Sequence, residues 1–261
     1  MPKQPIRCID GDAKPYQPFW KWINLDSALP EMEIDGVISE YSWLDDDITP
    51  KQFKDDLYRN GKGGPVLMKL NSPGGDVIAA SKMRAIMTEY PGDITVRISG
   101  MAASAAVMLA ISGKQTQIAD SAYMMIHDPA VVVFLAALDI ETLGRLQDNL
   151  KSIKDGIIPA YAQKTGLSEE RISNMMTRET WMSAREAVDY GFADQVIAGG
   201  QKAASQITNL AYVNLFKFGN VPPELVNLSS QAQPSAADVE REAEFERLRE
   251  RIKTIKGVSH D

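Results

Sequence analysis

The chain has 261 residues, of which 35 are acidic and 28 basic, so its formal net charge is −7. An acidic chain argues against a general role in nucleic-acid binding, because that role needs a basic surface to contact phosphates. The chain has no apolar run of about 18 or more residues, so we predict no membrane span. Its single cysteine, Cys8, excludes an internal disulfide, and the first residues lack the apolar core of a signal peptide. We expect a cytoplasmic protein with one sizeable domain and appendages.

Changes in composition divide the chain into four parts. Residues 1–30 contain five prolines and several aromatic side chains, which predicts an irregular N-terminal arm covering the domain. Residues 31–198 have the periodicity of regular structure and form the predicted domain. Residues 199–235 are rich in small and polar side chains, which predicts a linker. Residues 236–261 are highly charged and predict a C-terminal helix or tail.

Strand and helix patterns alternate within the predicted domain. The predicted strands cover residues 31–38, 66–70, 93–98, 115–119 and 122–126. The predicted helices cover residues 48–58, 77–90, 103–112, 139–158, 167–176 and 183–191. Strand–helix and strand–strand–helix units in this order predict an α/β domain with a layered core.

Local signals mark the ends of several helices. Thr49 is a predicted N-cap, with Pro50 at the first helical position. Ser168 is a predicted N-cap, and Ser183 with Glu186 forms a predicted capping box.

The helix over 139–158 carries an apolar stripe. Its members recur at alternating spacings of three and four residues, as in a heptad pattern, and are Leu143, Leu146, Leu150, Ile153 and Ile157. Pro159 predicts an interruption of this helix. The stripe itself is compatible with a face buried in the domain and with a face for self-association.

Ser104 is the one hydroxyl-bearing side chain in the middle of a run of small residues that follows a predicted strand. Such a run is also typical of a tightly packed helix, so it does not identify a nucleophile by itself. A catalytic serine needs an adjacent base, and histidine suits that task because its pKa lies near neutrality. The chain has two histidines, and His127 is the one within the predicted domain. The base in turn needs an acceptor, usually a carboxylate, to hold its ring.

The turn Asn71-Ser-Pro-Gly-Gly offers a second possible element of a site. Gly74 and Gly75 precede a helix, and their N–H groups can stabilise an oxyanion. The alternative is a strand-to-helix turn that needs positive φ. No Gly-Lys-Ser or Gly-Lys-Thr follows, which disfavours a phosphate loop, and Ser104 lacks the Gly-x-Ser-x-Gly pattern of an α/β-hydrolase. No metal-ligand spacing is present, and we predict that Asp45–Asp47 form an exposed turn.

Four motifs stand in the order and spacing of the Clp peptidase family. They are Asn71-Ser-Pro-Gly-Gly, Gly100-Met-Ala-Ala-Ser104, Met125-Ile-His127 and the segment from Ser183 to Asp194. The chain resembles this family from about residue 17 to residue 198. More narrowly, Glu179-Thr-Trp-Met-Ser-Ala and Phe19-Trp20-Lys-Trp resemble the Clp-like head maturation (prohead) proteases of tailed phages and prophages. The resemblance implies a Clp peptidase/crotonase-like spiral of strand–strand–helix units, here with a C-terminal extension.

The resemblance also implies roles for individual residues. Ser104 matches the nucleophile and His127 the general base. The N–H groups of Gly75 and Ala105 match the oxyanion hole.

At the third position of the triad, the sequence departs from the family pattern. The family acid is an aspartate, and Glu179 stands in its place within Thr177-Arg-Glu-Thr-Trp181. Glutamate is chemically competent but one methylene longer. Asp128 and Asp194 remain alternatives for this role.

Substrate binding and assembly follow from the same resemblance. Gly74, Asp76, Val77 and Ile78 match the strand edge where family members pair an extended peptide. The helix over 139–158 occupies the place of the family's handle helix, which favours self-association. We therefore expect a homo-oligomeric ring, with stacked rings as a further option.

The resemblance implies a serine endopeptidase that cleaves capsid and scaffold proteins during phage head maturation, in the host cytoplasm, without a metal or nucleotide cofactor. Two alternatives remain open. One is an inactive or assembly-gated scaffold protein of the same fold, and the other is a housekeeping-type Clp peptidase that works with an ATPase. An acyl-CoA-handling crotonase is disfavoured, because it would not need the Ser104–His127 pair. The change in composition after residue 199 also raises the hypothesis that the enzyme trims its own tail.

Overall fold

The computed structural model describes residues 20–38, 50–131, 138–198 and 218–222. Within these residues the strands are β1 (Trp20–Ile23), β2 (Glu31–Asp35), β3 (Val66–Ser72), β4 (Ile94–Ala103), β5 (Gln115–Ala119), β6 (Tyr123–Ile126), β7 (Thr180–Ser183) and β8 (Gln195–Ile197). The helices are α1 (Pro50–Gly61), α2 (Val77–Glu89), α3 (Ala106–Ala110), α4 (Ile140–Thr165), α5 (Glu169–Thr177) and α6 (Ala184–Asp189). The predicted α/β class is confirmed.

All eight strands belong to one sheet that branches at β4. The main path runs β1-β2-β3-β4-β5-β8, and its pairs are parallel except for β1 with β2. β6 leaves this path, pairing parallel with β4 and antiparallel with β7. Six of the seven residues of β3 are buried, as expected for a parallel strand that is covered on both faces.

The branch arises because β4 pairs with two partners along its length. Residues 95–98 pair with β5, and residues 101–103 pair with β6. Between them lies Gly100, where an added Cβ would stand 2.7 Å from Asn71 Oδ1. The same Asn71 oxygen accepts a hydrogen bond from Met101 N at 3.1 Å. The buried Asn71 side chain therefore satisfies the backbone where β4 changes partner, and Gly100 gives it room.

The predicted helix over 103–112 is wrong at its start. β4 continues through Ala103, and α3 covers only Ala106–Ala110. The extended conformation persists because Met101, Ala102 and Ala103 pair with β6. Composition alone could not show this pairing, since alanine favours a helix when no partner strand is considered.

The predicted interruption at Pro159 is also wrong. α4 runs from Ile140 to Thr165 with Pro159 inside it. A proline removes one helical hydrogen bond and strains the turn before it. Buried Ile157, Ile158 and Tyr161 lie on either side of the proline, and we attribute the continuity of the helix to their packing.

Three short strands are missing from the prediction. β1 lies in the proline-rich region that predicted irregular structure, yet its first residue, Trp20, is only 2% exposed. β7 and β8 have four and three residues, too few for a period-two pattern to be recognised.

The predicted N-cap Ser168 and the capping box of Ser183 and Glu186 are confirmed.

Several predicted features lie outside the described residues. They are the arm up to residue 19, the run Asp45–Asp47, Thr49, most of the linker over 199–235 and the tail over 236–261. In the part of the chain that the structure describes, no helix combines the length and apolar character needed to cross a membrane.

Trp20 gives a direct test of the unpredicted first strand. Its ring packs edge-on against Phe53 at 5.4 Å, and its Nε1 donates to Asp56 Oδ2 at 3.0 Å. We expect Trp20→Ala to lower the free energy of unfolding by about 3–5 kcal/mol, the usual cost of removing a buried aromatic ring. Lys21→Ala is the control, because Lys21 is 70% exposed and its ion pair with Glu33 is worth about 0–1 kcal/mol. Equal denaturant midpoints for the two variants would contradict the assignment.

Candidate active site

The register of β4 and β6 brings the predicted nucleophile and base together. Ala103, the last residue of β4, pairs with Met125 of β6, and Ser104 N donates to Met125 O at 2.8 Å. His127 follows β6 by one residue. Ser104 Oγ consequently lies 2.7 Å from His127 Nε2, a hydrogen bond across 23 residues of sequence. Both side chains are half-buried.

The backbone at Ser104 is held in a conformation that non-glycine residues seldom adopt. Its φ is +54°, and among the residues described only four non-glycine residues have positive φ. Glu179 is another, with φ of +50°. Strained backbone of this kind persists where the surrounding structure fixes it, and it concentrates at functional sites. Two of the three predicted triad members share this feature.

The Pro-Gly-Gly turn lies directly against the predicted nucleophile. Gly74 and Gly75 have φ of +99° and +139°, so the turn needs glycine. A Cβ added to Gly74 would stand 2.8 Å from Ser104 Cβ and 2.9 Å from Ala105 N. In the described part of the chain, the N–H groups of Gly75 and Ala105 have no hydrogen-bond acceptor. Two donors beside the serine are therefore free to bind a substrate oxygen.

The register of β6 and β7 places Glu179 opposite the predicted base. Ile126 pairs with Thr180 in this antiparallel ladder, so His127 and Glu179 occupy the next facing positions. The charge of Glu179 acts to raise the pKa of His127. Nevertheless, the contacts among the described residues include no hydrogen bond between the Glu179 carboxylate and the His127 ring.

Other donors occupy the Glu179 carboxylate. Trp181 Nε1 donates to its Oε1 at 3.1 Å. Asn220 N donates to Oε1 and Gly219 N to Oε2, each at 2.8 Å. Glu179 thus faces His127, but its carboxylate is bonded to Trp181 of β7 and to the backbone of Gly219 and Asn220.

Both alternative acids are paired with lysines of α4. Lys154 Nζ lies 2.7 Å from Asp128 Oδ1, and Thr177 Oγ1 donates to Asp128 Oδ2 at 3.2 Å. Lys164 Nζ lies 2.8 Å from Asp194 Oδ1, whose other oxygen accepts from Thr116 N. Asp128 and Asp194 are therefore paired with cations, whereas the Glu179 carboxylate is bonded to N–H groups among the described residues.

Burial lowers the pKa of His127 from its ordinary value of 6.5, because desolvation disfavours the charged ring. The charges of Glu179 and then Asp128 act in the opposite direction and are weaker. The ring is consequently neutral near pH 7, which is the form that can accept a proton from Ser104.

The structure differs from the predicted peptide-binding strand edge at residues 76–78, because these residues begin a helix. Asp76 caps α2, with its Oδ1 accepting from Ala79 N at 2.8 Å, and Val77 and Ile78 lie in the first helical turn. The extended pairing here is limited to a parallel bridge between Gly75 and Ile38. The cap of the helix therefore replaces the strand edge, although Ile78 is 50% exposed beside the turn.

Sequence reasoning missed the contribution of residues 218–222. They fell within the predicted linker, which had little periodicity, and no motif connects them with a catalytic site. It also missed how Ser72 fixes the glycine turn, by donating to Gly36 O at 2.6 Å and accepting from Gly74 N at 3.1 Å. A serine before Pro-Gly-Gly was the available signal for that role.

Comparison with known proteins agrees with this arrangement. Residues 55–200 match the family model described as Clp protease. The chain belongs to the Clp protease family. Members are serine-type peptidases, which accords with the Ser104–His127 pair. The chain is 30% identical over 200 residues to the ATP-dependent Clp protease proteolytic subunit of Oltmannsiellopsis viridis, spanning 75% of this chain and 96% of that protein.

Other similarities support the same family and fold. The chain is 32% identical over 146 residues to the ATP-dependent Clp protease proteolytic subunit 3 of Rhodococcus jostii, covering 55% of this chain and 70% of the relative. The solved structure of a point mutant of ClpP1 from Listeria monocytogenes matches with a TM-score of 0.54 and 21% identity, covering 69% of this chain and 95% of that one. The predicted Clp fold is confirmed, and the phage subgroup remains a hypothesis.

The lowered pKa of His127 predicts a specific pH dependence. Reaction of Ser104 with a fluorophosphonate needs neutral His127, so its rate should rise with pH through a midpoint below 6.5. Glu179→Gln removes a charge that raises this pKa, so its midpoint should lie lower still. Exposed Glu170 provides the control, and Glu170→Gln should leave the midpoint unchanged. A wild-type midpoint above 6.5, or an upward shift in Glu179→Gln, would contradict the electrostatic assignment.

The contact between Gly74 and Ser104 gives a second test. Gly74→Ala would place a Cβ 2.6 Å from Ala103 O and crowd Ala105 N. We expect the rate of fluorophosphonate labelling to fall about 100-fold or more, the usual effect of losing one oxyanion donor. Gly156→Ala is the control, since a Cβ there meets nothing within 4 Å. Labelling of a folded Gly74→Ala protein at the wild-type rate would rule out this geometry.

Proposed function

We propose that the chain is a serine endopeptidase that cleaves capsid and scaffold proteins during phage head maturation. The observation that carries the peptidase proposal is the 2.7 Å contact between Ser104 Oγ and His127 Nε2. It is supported by the N–H groups of Gly75 and Ala105, which have no acceptor among the described residues. Nucleophile, base and oxyanion donors are the parts that acyl transfer requires.

The proposed reaction proceeds in two stages. Ser104 Oγ attacks the peptide carbonyl carbon while its proton passes to His127 Nε2. The negative oxygen binds the N–H groups of Gly75 and Ala105. The C–N bond then breaks, and the proton moves from His127 to the leaving amine, which leaves an acyl-enzyme. Water then attacks the ester carbonyl carbon while His127 Nε2 takes its proton. The C–Oγ bond breaks, and that proton passes from His127 to Ser104 Oγ, which restores the free serine.

Glu179 is the proposed acid that holds His127 through its Nδ1–H group. The supporting observation is its position opposite His127 in the β6–β7 register. In this role the carboxylate would fix the ring tautomer and stabilise the imidazolium.

The phage assignment is supported by the resemblance to head maturation proteases in the sequence at residues 19–22 and 179–184. We propose that the enzyme acts in the cytoplasm of an infected host on capsid and scaffold polypeptides. The peptide would bind along the turn at Gly74 and Gly75, beside the Ile38–Gly75 bridge.

We also propose that the enzyme forms a homo-oligomeric ring through α4. The apolar stripe of this helix divides into two parts: Ile157 is buried in the domain, whereas Leu143 is 51% exposed. Leu143, Leu146 and Leu150 line a groove with Pro129 and Val131. An exposed apolar groove on an otherwise polar helix is typical of a surface that another subunit covers.

A housekeeping-type Clp peptidase is the second candidate function. The observation that favours it is that the reported relatives are proteolytic subunits described as ATP-dependent Clp proteases. In that case the chain would degrade unfolded proteins only when a hexameric ATPase delivers them.

One cleavage experiment separates these candidates. A purified capsid-protein precursor carrying its scaffold segment is incubated with the full chain, and casein is incubated with and without a hexameric Clp ATPase and ATP. We expect cleavage of the precursor at defined sites without ATP, and loss of at least about 1,000-fold in rate for Ser104→Ala. Ser121→Ala, in an exposed turn, is the matched control and should retain activity.

Each other outcome identifies a different function. Degradation of casein that requires the ATPase, with no cleavage of the precursor, would support the housekeeping peptidase. Precursor cleavage at the same rate in Ser104→Ala would overturn the mechanism. No cleavage of either substrate, with assembly of capsids still dependent on the chain, would support the inactive scaffold protein.

A further inference from the structure

Residues 218–222 pack against the catalytic side chains from a part of the chain that the family match does not cover. The match ends at residue 200, and residues 199–217 separate this segment from the last described residue of the domain. Its position is nevertheless defined by several contacts with β6, β7 and the turn before β7. These contacts converge on His127 and Glu179.

Polar contacts connect the segment with Glu179 and its neighbour. Gly219 N and Asn220 N donate to the two oxygens of the Glu179 carboxylate, each at 2.8 Å. Asn220 Nδ2 also donates to Arg178 O at 3.0 Å. Backbone amides that converge on a carboxylate form strong, charge-assisted hydrogen bonds. They hold the carboxylate directed towards the segment.

Apolar contacts place a ring over the base. The Phe218 ring lies edge-on to His127, with centroids 5.5 Å apart, and edge-on to Trp181 at 5.9 Å. Val221 and Phe218 pack on a small buried cluster of Met101, Ala103 and Met125. The segment is thus anchored by packing as well as by hydrogen bonds.

Docking of the segment has a chemical consequence for the triad. A carboxylate accepts about four hydrogen bonds, and three donors already occupy Glu179, counting Trp181 Nε1. In the described part of the chain, His127 has a hydrogen bond to Ser104 and none to a carboxylate. One acceptor position of the carboxylate remains, yet the His127 ring does not occupy it among the described contacts. Instead the acid is bonded to the segment.

We propose that residues 218–222 form an autoinhibitory latch that withholds Glu179 from His127 until the segment is displaced. This inference rests on the proposed peptidase function and adds its regulation. When the latch leaves, the Glu179 carboxylate loses two donors and can accept the His127 Nδ1–H group across the β6–β7 ladder. Removal of Phe218 opens one side of the His127 ring to substrate. A gate of this kind would restrain proteolysis until the proper substrate or assembly state displaces the segment.

Two substitutions at Gly219 distinguish loss of its N–H group from a change of side chain alone. Gly219→Pro removes the N–H group that binds Glu179 Oε2. Gly219→Ala keeps that group, and its Cβ has room at 3.6 Å from the same oxygen, with φ outside the left-handed region. Phe218→Ala removes the ring over His127. All are made in the full chain, and a released variant combined with Glu179→Gln tests whether the gain passes through the acid.

Each variant is examined by two measurements. The second-order rate of fluorophosphonate labelling at Ser104 reports the competence of the site. Hydrogen exchange of the peptide that contains residues 218–222 reports whether the segment is docked. We expect Gly219→Pro and Phe218→Ala to accelerate both labelling and exchange about 10-fold or more. Gly219→Ala should match the wild type, and Glu179→Gln should abolish the gain in labelling.

The latch and the peptidase proposal fail in different ways. Faster exchange with unchanged or slower labelling would overturn the latch and leave the peptidase intact, since the segment would then be passive or would position the acid. Wild-type exchange as fast as that of Phe218→Ala would also overturn the latch. Absence of labelling at Ser104 in every variant and in the wild type would overturn the peptidase proposal and the latch with it.

Discussion

The parallel pairing of β6 with the end of β4 determines the geometry of the whole site. Because Ala103 pairs with Met125, the residues that follow these strands, Ser104 and His127, must lie side by side. The antiparallel pairing of β6 with β7 then puts Glu179 on the other side of His127. Three residues that are distant in sequence are thus aligned by two ladders of backbone hydrogen bonds, which position side chains more accurately than loops do.

This pairing depends in turn on the point where β4 changes partner. Gly100 and buried Asn71 make the change possible, since the asparagine oxygen accepts the N–H group of Met101 that pairing with a neighbouring strand would otherwise satisfy. Without a polar group in this position, the backbone would carry an unsatisfied donor in the core, at a cost of about 1–3 kcal/mol. The Asn71-Ser-Pro-Gly-Gly motif therefore has a role in the sheet, and it also contains Gly75, one of the two proposed oxyanion donors.

The three candidate carboxylates, Asp128, Asp194 and Glu179, differ in the partners that hold them. The α4 lysines pair with Asp128 and Asp194, and both lysine side chains are less than a fifth exposed. Of these two carboxylates, Asp128 is the one whose charge acts on His127. Glu179 has no lysine partner in the described structure, and its partners are N–H groups instead. Neutral donors are easier to exchange than a buried ion pair, which accords with the proposal that the Glu179 carboxylate changes partners when the latch leaves.

Much of the fold could be predicted from the sequence because its longer elements carry clear periodicity. The positions of β3, α2, β5 and α5 follow from apolar spacing and caps. Elements set by tertiary pairing could not be predicted: β4 extends through Ala103 because a partner strand is present, and α4 continues through Pro159 among buried neighbours. These outcomes depend on contacts between segments that no local pattern contains.

The candidate site was predictable to a different extent for each residue. Ser104 and His127 could be paired from sequence by the need of a serine for a base, and they lie within hydrogen-bond distance. Glu179 could be named only through family resemblance, since several carboxylates were available and their lysine partners are visible only in the structure. Phe218 and Gly219 carried no signal at all, because their role depends entirely on where the chain returns to the domain.

The central claim is that Ser104 is a nucleophile activated by His127. The most direct measurement is the site and rate of fluorophosphonate labelling, read by peptide mass, for the wild type and for His127→Ala. The structure predicts a single adduct on Ser104 whose formation is at least about 100-fold slower in His127→Ala. An adduct on another residue, or labelling of Ser104 at an equal rate in both proteins, would contradict this account.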